Sequence, residues 1–168
     1  MALEQPTVYP FQAFNFDVQI AVTGAGIMKV CDGQFAECDG LEMAMDVKTI
    51  REGGNNVAQI RMVGAVNYGQ VTLKRGMTAS SLDLWEWFDA QQQGSPSQLR
   101  SDLRGQATIS LRTADRTADR VRFVLHRCLL TKLKAPALNA TAGIVAVEEL
   151  QLTFETMKIE RGGGLHHG

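Results

Sequence analysis

The residues that usually announce chemistry are scarce in this chain. Its three cysteines, Cys31, Cys38 and Cys128, are an odd number with no CxxC pair. That pattern argues against both a disulfide framework and a structural zinc site. No apolar run approaches the ~20 residues a membrane-spanning helix needs, and no signal peptide is evident, so synthesis in the cytosol and a soluble product are expected. Charge of one sign is missing too. The 17 basic and 18 acidic residues leave a net charge of −1, which gives no global reason to expect nucleic acid and little defence against self-association.

Constellations that could do catalysis are equally thin. The histidines are His126, His166 and His167, the last two in a glycine-rich tail. His126 and Cys128 lie two apart on a strand with no third group to orient them, and such pairs are far more often structural than catalytic. Glu148 and Glu149 alternate across a strand and cannot face one substrate. Gly53-Gly54 has neither GxGxxG spacing nor a following phosphate-loop lysine. The Trp85 and Trp87 pair lacks an interleaved basic partner, so core packing explains it better than base or sugar stacking. Met43, Met45 and Met62 read as core filler by the same comparison. Neither a metal nor a cofactor is implied, and no active site emerges.

What is present is strand. The 168 residues, 45% apolar and 21% charged, suit one globular domain with a core of its own. Residues 1–161 are expected to form that domain, with 1–10 an N-terminal arm containing Pro6 and Pro10, and 162–168 a flexible tail. Phe14, Phe16, Val18, Ile20 and Val22 alternate with polar residues, the mark of a half-buried strand. Gly24 to Gly33 reads as a glycine-rich turn. From Gln34 to Glu52 a long extended run places Leu41, Met43, Met45 and Val47 on one face, with a bend expected at Gly40. Lys48 to Val57, through Arg51, Glu52, Gly53, Gly54, Asn55 and Asn56, reads as a mobile hairpin loop. Ala58, Ile60 and Met62 resume the alternation.

The stretch from Val66 to Gln93 reads as a strand re-aimed at Gly69, a break at Arg75-Gly76, and one amphipathic helix started at Ser80 or Ser81. Leu84, Trp85 and Phe88 form its packing face, with Asp83, Glu86 and Asp89 on the wetter side. Gly94-Ser95-Pro96 stops it. Further strands follow around Ala107, Ile109 and Leu111, around Val121, Phe123 and Leu125, from Cys128 to Leu133, and from Ile144 to Phe154. The repeated TADR at 113–120 is a polar hairpin tip. The result is a mainly β (α+β) domain, an antiparallel barrel or sandwich of about seven strands with one flanking helix. Long alternating strands leave edges that must be closed, covered or paired with another chain.

Charge is unevenly spread. Residues 1–60 hold eight acidic side chains against Lys29, Lys48 and Arg51, whereas residues 100–134 hold nine basic ones against Asp102, Asp115 and Asp119. Two solvated faces explain this as well as an acidic surface that docks on the basic surface of the next copy.

VNYGQVTLKRGMT followed by LWEW, together with FNFDVQI at 14–20, FAECDGLEMAMDVKTIREGG at 35–54 and VEELQLTFETMKI at 147–159, resembles the tail-tube proteins of contractile phages and of extracellular contractile injection particles. The four blocks keep their order over nearly the whole chain. The resemblance implies a non-enzymatic subunit of homohexameric rings, stacked head to tail into a hollow tube inside a sheath protein and bounded by baseplate and cap proteins. It implies a lumen for cargo, toxin or DNA, no membrane partner, and assembly in the bacterial cytoplasm as part of a phage tail or extracellular particle. It also implies kinship with the secreted ring protein of type VI secretion, and that the loop at Lys48 to Val57 reaches a neighbouring ring. A tube-initiator or baseplate adaptor ring and a type VI-like secreted ring are the alternatives. A ligand-binding barrel is disfavoured by the missing polar pocket signature.

Overall fold

The computed structural model describes residues 10–11, 13–23, 27–51, 53–54, 59–79, 81–93 and 103–162. Ten strands and one helix follow in the order β1 (Phe16–Thr23), β2 (Ile27–Gly33), β3 (Glu37–Asp39), β4 (Met43–Ile50), β5 (Ile60–Tyr68), β6 (Val71–Gly76), α1 (Ser81–Gln93), β7 (Gly105–Arg112), β8 (Asp119–Lys134), β9 (Val147–Thr153) and β10 (Thr156–Arg161). Every pairing is antiparallel. The main sheet runs β2-β1-β7-β8-β9-β6-β3, with β10 also on β8, and it does not close into a barrel. Strands β4 and β5 form a separate two-stranded sheet.

The expected mainly β fold with one helix is therefore present, with ten strands among the described residues where about seven were expected. The strand boundaries differ from the expected ones in four places. The segment up to Gly33 is strand β2, not turn, because Val30 and Cys31 enter the core opposite β1. The run around Gly40 breaks into β3 and β4, since Gly40 has φ +90° and its Cα faces the Gln70 carbonyl too closely for any side chain. The terminal run breaks at Phe154-Glu155 into β9 and β10. In the opposite direction, the two strands read from 121–125 and 128–133 are one, β8.

Strand β8 turns a corner. Leu125 pairs with Ala107 and Cys128 with Gly105, so two residues of β8 oppose the single Gln106. The extra residue is Arg127, held at φ 55°, which is the left-handed conformation of a bulge. Before the bulge β8 pairs with β7 and β10; after it, Leu129 to Lys134 pair with β9.

The core lies between these sheet halves and α1. Val18, Ile20 and Val22 of β1, Val71 and Leu73 of β6, Ile109 of β7, Leu125 and Leu130 of β8, and Leu150 and Leu152 of β9 are all buried. Each such side chain contributes roughly 1.5–3 kcal/mol by leaving water. Phe14 is a correction: it lies outside β1 and is exposed, while Asn15 is buried and its Nδ2 donates to the Thr113 carbonyl. Ile144 is another, exposed in the connection that precedes β9.

The helix occupies the expected span. Leu84 and Trp87 are buried, and Trp85 and Phe88 are half-buried. The inward tryptophan is thus Trp87, whose indole N–H donates to the Leu103 carbonyl at 2.8 Å. Gly105 lies beneath it, where a Cβ would meet the indole ring at 3.1 Å.

Candidate assembly interface

Strand β6 was expected to break at Arg75-Gly76, but both residues belong to it, and Arg75 is a core residue. Alternation along β6 turns the side chains of Val71, Leu73 and Arg75 inward. The guanidinium survives burial because its charge is matched on several sides. Nε donates to Glu148 Oε1 at 2.5 Å, Nη1 to Cys31 Sγ at 2.9 Å and Nη2 to Ser81 Oγ at 3.3 Å, and Phe35 lies 5.2 Å beneath the cation. Ser81 in turn donates to Glu148 Oε1 at 2.7 Å and accepts from the Thr78 N–H. Four segments, β2, β6, the start of α1 and the start of β9, are thereby fastened together. Glu148 Oε2 is buried without a hydrogen bond among the described residues. Sequence reasoning missed this cluster because its members are 67 and 73 residues apart.

Nothing in the cluster suggests turnover. Burial pushes the thiol of Cys31 up to about 11 despite the opposing pull of Arg75, and burial does the same for Cys38 and Cys128, leaving all three protonated and poorly nucleophilic near neutrality. Cys128 Sγ faces the Leu125 carbonyl, not His126. Among the described residues no three His, Cys, Asp or Glu side chains converge on a metal-sized site. No helix among them is long and apolar enough to cross a membrane.

The basic segment is largely neutralised within its own chain. Arg112 pairs with Asp17 at 2.8 Å, Arg104 and Arg127 share Glu155, Arg122 approaches Glu160, and Lys132 pairs with Glu149. The depression of about 380 Å³ at the β7–β8 tip, bordered by Arg112, Arg116 and Arg122, also contains Asp119. A single basic docking face, one of the two readings of the charge distribution, is consequently interrupted by these acids.

The hairpin β4–β5 has the opposite character. Its register runs from Met43 opposite Tyr68 to Ile50 opposite Ile60, with Gly64 and Ala65 bulged against Asp46. The bulge is therefore at Gly64, where a Cβ would strike the Asp46 carbonyl, and not at Gly69. Gly69 instead marks the root. There the chain leaves the hairpin for β6, crowded by the Glu42 side chain and the Gly40 carbonyl. Root contacts continue with the Gly69 N–H donating to the Glu42 carbonyl and the Tyr68 ring 5.4 Å from that of Phe154, tilted by 54°.

Beyond this root nothing among the described residues covers the arm. Every residue of β4 is exposed. Met43, Met45, Met62 and Val63 are 56%, 51%, 50% and 76% exposed, so the methionines are not core filler. Alternation with the bulge puts Met43, Met45, Val47, Val63 and Val66 on one face, and Ile50, Ile60 and Met62 on the other. A strand pair apolar on both faces is what burial on both faces selects. Of the expected loop residues, Lys48 sits in β4, and Arg51, Gly53 and Gly54 follow it, Gly54 at φ +100°. Glu52, Asn55 and Asn56 lie outside the described residues.

The described residues thus form an antiparallel sheet that carries a bare apolar arm. The family of the T4-like virus tail tube protein gp19 matches residues 12–158, and the chain belongs to that family; it is a tail tube protein. In fold it is similar to a chain of the extended sheath–tube complex of PVC, an extracellular contractile injection system, at TM-score 0.69 and 22% identity, with 92% of this chain and 94% of that one covered. It is similar also to a chain of the anti-feeding prophage tube-terminating cap (TM-score 0.71, 22% identity, 96% and 99% covered) and to one of the anti-feeding prophage baseplate (TM-score 0.70, 23%, 92% and 97%). Hcp1 from Flavobacterium johnsoniae superposes at 0.48 with 12% identity, too distant to carry an argument. A comparison with curated proteins gives no match.

Proposed function

We propose that this chain is the repeating subunit of the inner tube of a contractile phage tail or extracellular injection particle, assembled as hexameric rings stacked head to tail. The observation that carries the reading is the β4–β5 arm, exposed and apolar on both faces in a chain whose family is that of a tail tube protein. A heterologous contact of this kind propagates without closing on itself, which is how rings become a tube. Unpaired edges at β2 and β3 would be satisfied by neighbouring subunits around the ring. The role is structural and not enzymatic. Its partners are further copies of itself, a surrounding sheath protein, and baseplate and cap proteins at the ends, with cargo passing along the lumen and assembly taking place in the bacterial cytoplasm. The hairpin tip at Gly53 to Asn56 is the ring-to-ring element.

Electron microscopy of the purified chain tests this directly. Long hollow tubes are expected from the unaltered protein, and from a variant lacking Gly53 to Asn56, folded subunits that fail to elongate. Isolated rings from the unaltered protein would favour an initiator ring, and monomers would refute the reading.

A further inference from the structure

The groups most open to oxidants in this chain are thioethers, not thiols. Cys31 and Cys128 are buried, Cys38 is half-buried, and burial keeps all three protonated up to about pH 11. A thiol attacks peroxide as its thiolate, which near neutrality is then roughly one part in 10⁴. A thioether has no proton to lose, so access governs its reaction. Of the seven methionines, Met43, Met45 and Met62 lie in the β4–β5 hairpin, each at least half exposed. Met157, by contrast, packs against the core.

The two faces of the hairpin differ in how they receive an added oxygen. A sulfoxide is a polar acceptor that needs a donor once it is buried. Met45 has Val66 opposite it, Met43 and Val47 beside it on the same face, and Val63 next along. None of these side chains has an N–H or O–H to give. Met43 lies opposite Tyr68, whose ring is taken up by Phe154 at the root. On the other face Met62 lies opposite Lys48, whose ammonium is a ready donor. Oxidation at Met43 and Met45 therefore spoils an apolar face, whereas oxidation at Met62 has a partner within the hairpin.

We propose that Met43 and Met45 are a modification site at which a peroxide, acting before the arm is covered, stops tube growth. This rests on the tube reading, and the test separates the two. A sulfur lone pair attacks one oxygen of hydrogen peroxide and the O–O bond breaks. The departing hydroxide takes the proton of the transferred hydroxyl and leaves as water. Sulfur is oxidised by two electrons and the peroxide reduced by two, leaving methionine sulfoxide. The same residues are shielded once a subunit has joined a tube, so the arm responds to oxidant only while it is free.

Unassembled chain and finished tubes are treated with hydrogen peroxide in parallel, sulfoxides are located by peptide mass spectrometry, and tube length is read by electron microscopy. Treated unassembled chain should give tubes about tenfold shorter, with an unchanged circular-dichroism melt because both side chains are exposed. Methionine sulfoxide reductases with a dithiol, which becomes a disulfide as the oxygen leaves as water, should restore the length. Finished tubes should keep their length and oxidise about tenfold more slowly at the two residues. Met43→Leu with Met45→Leu, a volume-conserving change compared with its own untreated sample, should lose the response. Met62→Leu and Met77→Leu should each retain it.

Full-length tubes from chain carrying both sulfoxides overturn the inference and leave the tube reading intact. So does an undiminished response in the Met43→Leu, Met45→Leu variant, or equal oxidation of the two residues in free chain and in tubes. A lowered melt after treatment overturns it as well, because damage to the core would then be what stops growth. An untreated, unaltered chain that forms neither rings nor tubes overturns the tube reading itself.

Discussion

Strand β6 and the β4–β5 hairpin are separated by only two residues, Gly69 and Gln70, yet their side chains meet opposite fates. In β6 even an arginine is enclosed, because Glu148, Ser81 and Cys31 supply its hydrogen bonds from within the chain. In the hairpin even methionine, valine and isoleucine stay in water. Polarity alone does not decide burial here; the presence of a partner does. The core is a set of contacts the chain completes by itself, and the hairpin is a set left uncovered among the described residues.

That contrast makes substitutions in the two regions separable. The largest expected effect is at the ion pair. Glu148→Ala should cost about 3–5 kcal/mol, since it strands a buried guanidinium, whereas Arg75→Met with Glu148→Leu should recover much of the loss. Urea-unfolding midpoints decide this, and a single variant as stable as the parent would mean that the cluster is not enclosed. Next, Trp87→Ala should cost roughly 3–5 kcal/mol and Trp85→Ala less than half as much; equal losses would show that both rings share the core.

A smaller effect concerns the thiols. The folded chain holds them protonated to about pH 11, against an ordinary value near 9, so the unfolded chain releases their protons first. Stability should fall as pH rises from 9 through 11, and Cys128→Ala should flatten that slope of Tm against pH. A slope unchanged by the substitution would count against it. Smallest of all, Met45→Ser with Val47→Thr should move monomer stability by no more than about 0.5 kcal/mol while preventing tube growth, read by paired unfolding and sedimentation measurements. Substantial destabilisation there would erase the distinction between the regions.

Much of this could be read from local pattern. The helix span follows from Ser81, Asp83 and the Gly94-Ser95-Pro96 stop, and the alternation of Val18, Ile20 and Val22 locates β1. What the alternation at Met43, Met45 and Val47 cannot encode is who covers it. A stripe facing its own core and one awaiting a neighbour have the same period. Arg75 and Glu148 were illegible for a different reason, since a charge inside a strand pattern gains meaning only from a partner 73 residues away. Arg127 was hidden too: its left-handed φ is set by the corner of β8, not by an arginine's own preference.

That corner has a mechanical consequence. The half of the sheet around β1 and β7 and the half around β9 and β6 are joined through strand β8, Asp119–Lys134, and again where β9 runs on through Phe154-Glu155 into β10, which pairs with the first part of β8. Tension between the halves is therefore borne by covalent backbone, and the flanking ladders are loaded in shear along their length instead of being peeled apart one bond at a time. A subunit driven forward under load would keep its two halves in step without relying on any one hydrogen bond.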